Sequence, residues 1–513
     1  MKNNLKIHLN AKTEYISPDL HGQFIEHLGS CINGGLWVGE NSDIPNAGGI
    51  RLAALEALAE VNPPVMRWPG GCFADMYHWE DGIGPREKRP VTFNSNFGTN
   101  SVEENGFGTH EFIELCEKIG AKPWININML SGSVRKMVEW AEYCNRPKGS
   151  VHGDRRAGNG ADEPFNVLYW GIGNEAWAGG GNFTAEGYAD AYRRYSSAFP
   201  PFFGEGEPSF RNRLPIKLVG VGPDGNKPAE RVEWTTRLCK AMGEFRAPKM
   251  DAYDLHFYNW NSRGEAGTAT EFSEEQWYIL LSSAQEIEPI LLEQYALLSE
   301  FYPKSDSLMG VSKPELIIGE WGNWHGFNMG KNALWQQNTM RDAVTAALTL
   351  DIFHRNCDKV KMACLAQSVN VLGSLILTDG AATILTPTYH VFKMYLPHRG
   401  ANRLDTATES RVLYSGVTDV TAVTCFASEK DGIVTVNAVN SNMTACEELV
   451  IEVDGALEFV SSTKLAAVPT AHNTADNLSA VVPEQGAISA ESGVGFTLTL
   501  DPASVNVFTF KKI

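Results

Sequence analysis

Eight short apolar runs rich in β-forming residues alternate with longer amphipathic stretches between about residue 20 and residue 395. Such alternation is typical of βα units arranged around a parallel sheet. Eight units in roughly 375 residues favour a closed barrel over an open, doubly wound sheet. We therefore predict an α/β fold, a (β/α)8 TIM barrel, with strands near 22–28, 64–70, 123–130, 167–174, 216–222, 252–258, 315–321 and 360–369.

The pattern changes near residue 398, where Pro397 and Gly400 interrupt the last helical stretch. The segment beyond is rich in Val, Thr and Ser, and apolar and polar residues alternate through 496–500. This period of two is typical of half-buried antiparallel strands. We predict a barrel over 16–397 and a C-terminal antiparallel β-sandwich domain over 398–513. Residues 5–9 also alternate, so the segment 1–15 is expected to add a strand to the sandwich.

The net charge of the chain limits the kinds of molecule that it can bind. Sixty-one acidic residues against 43 basic ones give a formal net charge of -18. This field repels phosphate backbones and anionic membrane surfaces. The sequence also lacks an apolar run of about 18 residues that would span a bilayer. We expect neither a nucleic acid nor a membrane as partner.

Cysteine usage points to a reducing compartment. The nine cysteines are scattered and form no CxxC pair, which disfavours a disulfide framework and a zinc ribbon. Residues 1–12 carry no apolar run of signal-peptide length. We therefore expect a cytoplasmic protein.

Two glutamates stand where predicted strands end. The fourth strand stops at Asn174 and Glu175, and the seventh stops at Glu320. In a barrel, the C-terminal ends of the strands meet at the rim that carries the active site. Burial and mutual repulsion can raise the pKa of one carboxyl and leave the other ionised, as an acid and a nucleophile require. Such a pair is typical of glycoside hydrolysis.

The other strand ends are polar as well. Arg67 ends the second strand, and its permanent charge is expected to keep the carboxyl of Glu320 ionised. Alternatively, Arg67 forms an ion pair with a purely structural role. The alternative for His256 is a histidine buried in the core. The remaining strands bring to the same rim Glu26, His27, Cys72, Asn128, His256, Tyr258, Gln367 and Asn370.

Two cofactor-dependent alternatives are disfavoured. Gly171, Gly173 and Ala176 spell a GxGxxA pattern after a strand. The acidic residue expected about 20 positions later, Asp190, falls within an amphipathic helix, which does not fit a dinucleotide site. The twelve histidines form neither an HxH nor an HExxH motif, which disfavours a metal-dependent hydrolase. We expect no cofactor and no metal.

Five segments resemble those of the glycoside hydrolase family 51 α-L-arabinofuranosidases, and the likeness extends over essentially the whole chain. Their order and spacing together are much more specific than any one segment. They are FIEHLG at 24–29, RWPGGCF at 67–73 with WEDGIGP at 79–85, YWGIGNE at 169–175, GEW at 319–321, and QSVNVL at 367–372 with LTPTYH at 385–390.

The resemblance implies a retaining, exo-acting hydrolase that releases terminal α-L-arabinofuranosyl units, with Glu175 as general acid/base and Glu320 as nucleophile. It also implies arabinofuranose-containing oligosaccharides as substrates, no cofactor, and a homo-oligomer, commonly a hexamer. The residues implied to bind the furanose are Glu26, Cys72, Asn174, Tyr258 and Gln367. The residues expected to support the pocket are Arg67 and His256, by resemblance, and Asn128, by its position at a strand end.

The chain departs from the family pattern beside both glutamates. The run AWAGGG at 176–181 replaces the common Asn-Trp-Gly-Cys-Gly-Gly, and Gly319 replaces the usual acidic residue before the nucleophile. Trp177 and Trp324 are candidates either to stack on the leaving-group sugar or to pack inside the protein. Three alternatives stay open: an endo-β-1,4-glucanase, a β-xylosidase on the same barrel, or a carbohydrate-binding protein without catalysis.

Overall fold

Eight parallel strands close into a barrel within the part of the chain that the structure describes. The structure, a computed structural model, describes residues 3–11, 14–98, 101–204, 206, 208–209, 211–304, 311–329, 332–488, 490–492 and 495–513. The barrel strands β1 to β8 are Gly22–Phe24, Val65–Trp68, Lys122–Ile127, Tyr169–Ile172, Lys217–Asp224, Ala252–Asn261, Glu315–His325 and Val360–Leu365. Each predicted strand overlaps one of them, which confirms the predicted barrel.

Helices connect and surround these strands. Several begin at a short polar side chain that accepts a hydrogen bond from the first turn, namely Ser133, Thr184, Ser273, Thr339 and Thr386. The α-helices α1 to α10 are Leu52–Val61, Thr109–Ile119, Val134–Asn145, Val151–Gly158, Ala185–Ala198, Pro228–Gly243, Glu274–Gln285, Ile287–Phe301, Met340–Arg355 and Pro387–Met394. Short 3-10 helices are Pro18–His21, Cys72–Met76, Trp79–Gly82, Arg86–Lys88, Asn96–Gly98 and Leu396–His398. Among the described residues, no helix is long and apolar enough to cross a membrane.

The C-terminal strands form the predicted β-sandwich, which confirms the second part of the fold class. One sheet contains, in spatial order, Asp405–Glu409, Asn3–His8, Glu447–Val453, Gly495–Leu500 and Ala490–Ser492. The other contains Glu14–Tyr15, Asn402–Arg403, Val423–Lys430, Ile433–Asn440, Ser504–Lys512, Leu457–Ala466 and Glu484–Gln485. Separate two-stranded pairs are Asn46–Ala47 with Ile50–Arg51, Thr92–Asn94 with Ser101–Glu103, Ile376–Asp379 with Ala382–Leu385, and Val412–Tyr414 with Asp419–Thr421.

An N-terminal strand lies inside the first of these sheets. Asn3–His8 pairs antiparallel with Asp405–Glu409 and parallel with Glu447–Val453. Leu5 and Ile7 are buried in the apolar core of the sandwich. Residues 1, 2, 12 and 13 of the segment 1–15 lie outside the described residues.

Leu5→Ala is expected to lower the free energy of unfolding by about 2–5 kcal/mol, because it removes buried methyl groups and leaves a cavity in the sandwich core. Lys6→Ala is the matched control, since Lys6 is the exposed neighbour on the same strand, and a change within about 0.5 kcal/mol is expected there. Denaturant titration followed by far-ultraviolet circular dichroism measures both, since all 13 tryptophans lie outside the sandwich. Equal effects of the two substitutions would contradict the core position of this strand.

Helix α9 lies between the barrel and the sandwich. Its residues from Met340 to His354 are all buried. Asp351 on α9 accepts a hydrogen bond of 2.8 Å from Asn437 of the sandwich. The apolar core of the barrel continues past this helix to Phe426 and Val505. The sandwich therefore packs on the outside of the barrel through α9.

Candidate active site

The C-terminal rim of the barrel carries a cavity of about 320 Å³. Glu175 follows the end of β4, whereas Glu320 lies within β7, and both carboxylates face this cavity. Four other residues predicted from the sequence line it with them, so strands β1, β2, β6 and β8 also contribute to the site. These four residues are Glu26, Cys72, Tyr258 and Gln367.

Glu320 is surrounded by hydrogen-bond donors. Arg67 Nη1 donates to Glu320 Oε1 at 2.7 Å, and the hydroxyl of Tyr258 donates to Oε2 at 2.7 Å. His256 Nδ1 lies 3.6 Å from Oε1. Burial raises the pKa of Glu320, but the positive charges of His256 and Arg67 outweigh it and hold the pKa below its usual value. Glu320 is therefore ionised at neutral pH.

Glu175 has the opposite environment. Burial raises the pKa of Glu175, and the nearby charge of Glu320 adds to this effect, although a hydrogen bond with His256 opposes it. His256 Nδ1 lies 3.0 Å from Glu175 Oε1, and Cys72 Sγ lies 4.0 Å from Oε2. The Glu175 side chain is 19% exposed. It can therefore hold a proton and still reach a molecule that enters from solvent.

The backbone at Glu175 is held in an uncommon conformation. Its φ angle is 41°, in the left-handed region that costs a non-glycine residue about 1 kcal/mol or more. The carbonyl of Glu175 accepts hydrogen bonds from the N–H groups of Ala178 and Gly180 at 2.8 and 3.2 Å. This turn directs the side chain into the cavity at the point where β4 ends.

The two glutamates and His256 form the closest cluster of titratable groups in the cavity. One oxygen of each glutamate and a ring nitrogen of His256 lie within 4.8 Å of one another, a donor set that also suits a cation. Both ring nitrogens of His256 face carboxylates, Glu175 at 3.0 Å and Asp254 at 3.1 Å. Both therefore donate, and a protonated imidazole has no free lone pair for a metal. Together with the adjacent Arg67, these groups therefore form a network of ion pairs and do not suit a metal ion.

The residues implied to bind sugar lie around this cluster. Gln367 Nε2 donates to Glu26, and Arg67 donates to Asn174 Oδ1. Burial and the charge of Glu320 raise the pKa of Glu26 to about 8. Within the described residues, Asn174 Nδ2 and Gln367 Oε1 are buried without a hydrogen-bond partner. Unpaired buried polar atoms are costly, so these two are ready to bind hydroxyl groups of a ligand.

Two strand-end residues lie away from the cavity. The side chain of Asn128 accepts hydrogen bonds from the N–H groups of Ser131 and Gly132 at 2.9 and 2.8 Å and donates to the carbonyl of Tyr77. His27 Nδ1 contacts Glu103 Oε2 at 3.0 Å. Both residues fix loops near the rim.

Sequence reasoning missed several residues near the site. Phe97, which lies in a loop outside the barrel strands, lines the cavity with Trp324. Beyond Trp324, an aromatic cluster continues outward to Trp260, which is 45% exposed, and Phe327, which is 53% exposed. Asp254 contacts His256 from the same strand. Its spacing of two residues from His256 places both side chains on one face of β6, which was a signal in the sequence.

A (β/α)8 barrel with two carboxylates of opposite pKa shift in one small rim cavity defines the class of glycoside hydrolases. Comparison with known proteins agrees. Residues 57–276 match the alpha-L-arabinofuranosidase 1 domain, and residues 319–504 match the alpha-L-arabinofuranosidase C-terminal domain. The chain is 41% identical over 455 residues to an intracellular exo-alpha-L-arabinofuranosidase of Bacteroides ovatus, with 87% of this chain and 83% of the relative covered.

Solved structures give the same result. The GH51 arabinofuranosidase from Xanthomonas axonopodis pv. citri is 34% identical, with a TM-score of 0.90 over 99% of this chain and 100% of that chain. The alpha-L-arabinofuranosidase from Thermotoga maritima, in an arabinose complex, is 28% identical with a TM-score of 0.82 over the same shares. The chain belongs to the glycoside hydrolase family 51 α-L-arabinofuranosidases.

Proposed function

We propose that this enzyme releases terminal α-L-arabinofuranosyl units from arabinose-containing oligosaccharides by double displacement, with Glu320 as nucleophile and Glu175 as general acid/base. The observation that carries the proposal is the pair of carboxylates with opposite pKa shifts, whose oxygens lie within 4.8 Å. Retaining enzymes hold their carboxyl groups about 5–5.5 Å apart, whereas inverting enzymes need about 6.5–9.5 Å to admit a water molecule. The short separation supports retention.

The reaction proceeds in two displacements. A carboxylate oxygen of Glu320 attacks the anomeric carbon while the proton of Glu175 moves to the departing glycosidic oxygen, and the bond to the leaving group breaks. The resulting ester joins arabinose to Glu320. Glu175, now ionised, then takes a proton from water, whose oxygen attacks the same carbon and releases the sugar. Two inversions leave the anomeric configuration unchanged.

The polar lining of the cavity supports binding of a single terminal sugar. The polar part of this lining consists of Glu26, Cys72, Glu175, Tyr258, Glu320 and Gln367. Asn174 Nδ2 and Gln367 Oε1 are available to hydroxyl groups, and Glu26 and Cys72 complete the wall. An endo-acting glucanase would need subsites on both sides of the cleaved bond.

Aromatic residues outside the cavity suit the leaving-group side. Trp324 lines the cavity and lies 4.9 Å, between ring centroids, from the exposed Trp260. Trp177 lines a neighbouring cavity of about 630 Å³ and donates to the carbonyl of Gly222. We assign the sugar platform to Trp260, because stacking requires an exposed aromatic face and Trp260 is 45% exposed. Trp324 is 7% exposed and packs against it.

Three further proposals concern the chain as a whole. We propose the division into a barrel domain over 16–397, which carries the reaction, and a sandwich domain over 398–513 joined by the N-terminal strand. The name of the Bacteroides ovatus relative supports a cytoplasmic location. The family resemblance supports a homo-oligomer, specifically a hexamer, and light scattering after gel filtration measures its mass.

Initial rates on matched p-nitrophenyl α-L-arabinofuranoside, β-D-xyloside and β-D-glucoside test the substrate assignment. The arabinofuranoside is expected to be hydrolysed fastest, because the furanose-binding residues surround the reacting carbon. A β-1,4-glucan hydrolysed while the arabinofuranoside stays intact would favour the glucanase alternative. Binding of arabino-oligosaccharides without any turnover would favour a carbohydrate-binding protein.

A further inference from the structure

A β-bulge lies directly before Glu320 in β7. The carboxylate of Asp254, on the neighbouring strand β6, occupies the space beside this bulge. Ile318 of β7 pairs with Leu255 of β6, and the register then shifts, which leaves Gly319 as an extra residue. A bulge of this kind redirects the side chain that follows it. An ideal Cβ on Gly319 would lie 2.2 and 2.3 Å from the two carboxylate oxygens of Asp254. A side chain at 319 and the carboxylate of Asp254 therefore exclude each other.

Both oxygens of Asp254 are engaged. Asp254 is 7% exposed, and its Oδ1 accepts a hydrogen bond of 2.5 Å from the N–H of Gly319. Its Oδ2 lies 3.1 Å from His256 Nε2. The other ring nitrogen, Nδ1, lies 3.0 Å from Glu175 Oε1 and 3.6 Å from Glu320 Oε1. One carboxylate thus connects the backbone beside Glu320 with the imidazole that contacts both glutamates.

We propose that Asp254 is a positioning residue for the reaction, which fixes His256 as a charged donor to both glutamates and orders the bulge that aims Glu320. This inference rests on the proposed roles of Glu175 and Glu320. It also explains the glycine at 319, where the family resemblance leads us to expect an acidic residue. In this chain the carboxylate comes from β6 instead of β7 and occupies the same space.

The charges around His256 support this role. Burial lowers the pKa of His256, but the negative charges of Glu320 and Asp254 outweigh it and raise the pKa to about 10. The charged groups that interact with the imidazole are Glu175 after β4, Asp224 on β5, Asp254 on β6 itself and Glu320 on β7. Arg67, near the end of β2, contacts the same oxygen of Glu320. Without the charge of Asp254, the pKa of His256 falls, and Glu320 loses part of the positive charge that keeps it ionised.

Asp254→Asn tests the electrostatic part, because it keeps the shape and removes the charge. We expect kcat on p-nitrophenyl α-L-arabinofuranoside to fall about 10- to 100-fold, the loss seen when outer residues that orient metal ligands are replaced in other enzymes. The acid limb of the kcat/KM profile, which reports ionisation of the nucleophile, is expected to move to higher pH. Asp251→Asn, which removes a carboxylate just before β6, is the control and is expected to leave the limb unchanged.

Moving the carboxylate to the other strand tests the spatial part. Gly319→Asp alone is expected to reduce kcat, because its Cβ collides with Asp254. Asp254→Ala alone is expected to reduce kcat through loss of the charge. The double variant Asp254→Ala/Gly319→Asp restores a carboxylate in the same space, and we expect its kcat to be about tenfold or more above that of Asp254→Ala.

These outcomes separate the two proposals. Wild-type protein without activity on the arabinofuranoside contradicts the proposed function. Active wild-type protein, together with an Asp254→Asn variant whose kcat and acid limb are unchanged, overturns the positioning role alone. A folded double variant that is no more active than Asp254→Ala also overturns it. Circular dichroism checks folding, and if one variant fails to fold, the result for the other decides.

Discussion

Glu320→Ala is expected to lower kcat on every arabinofuranoside by about 10⁴-fold or more, because no group remains to form the covalent intermediate. The loss should be equally severe for activated and natural leaving groups, since every substrate must form the same ester with Glu320. Initial rates on p-nitrophenyl α-L-arabinofuranoside and on an arabino-oligosaccharide measure it.

The chain offers a control on the same strand. Glu315 begins β7 at the opposite end, where its side chain is 48% exposed. Glu315→Ala is expected to leave kcat within about twofold of wild type, as for an exposed residue away from the site. Azide added to Glu320→Ala should yield the arabinosyl azide of inverted configuration, because azide occupies the vacated space. Full activity in Glu320→Ala would exclude this residue as the nucleophile.

Glu175→Ala is expected to lower kcat/KM on arabino-oligosaccharides by about 10²- to 10⁴-fold, because the departing sugar oxygen needs a proton. A 2,4-dinitrophenyl leaving group needs none, so its kcat/KM should fall by less than about tenfold. The comparison of the two substrates therefore isolates proton transfer from binding.

The second displacement gives an independent readout. Without a general base, the glycosyl-enzyme of Glu175→Ala should accumulate, and azide should restore turnover with an arabinosyl azide of retained configuration. Glu163→Ala is the control, because Glu163 is exposed on the segment before β4, and it should behave as wild type on both substrates. Equal losses on the two substrates would contradict the acid/base role.

The positions of residues at the ends of strands were the feature of the site most easily predicted from the sequence. Apolar runs located β2, β4 and β7, and barrel geometry requires their C-terminal ends to meet, so Arg67, Glu175 and Glu320 were expected near one another. The structure places Arg67 Nη1 2.7 Å from Glu320 Oε1. The prediction is possible because the direction of a parallel strand determines which of its ends lies at the rim.

The orientation of side chains was harder to predict from the sequence. Asn128 ends a strand at the correct rim, yet local backbone N–H groups of Ser131 and Gly132 capture its carbonyl oxygen. The bulge at Gly319 also leaves no pattern in the sequence, because it depends on pairing between β6 and β7. Without knowledge of that register shift, neither the direction of the Glu320 side chain nor the position of Asp254 beside Gly319 can be predicted. Such features require three-dimensional pairing as well as periodicity.

The double-displacement account is tested most directly by mass analysis of Glu175→Ala after brief exposure to 2,4-dinitrophenyl α-L-arabinofuranoside. The account predicts a protein heavier by one arabinofuranosyl unit, with the added mass on the peptide that contains Glu320. The double variant Glu175→Ala/Glu320→Ala should gain no mass. Attachment to any other residue, or release of dinitrophenolate in a burst without added mass, would contradict the assignment of Glu320 as the nucleophile.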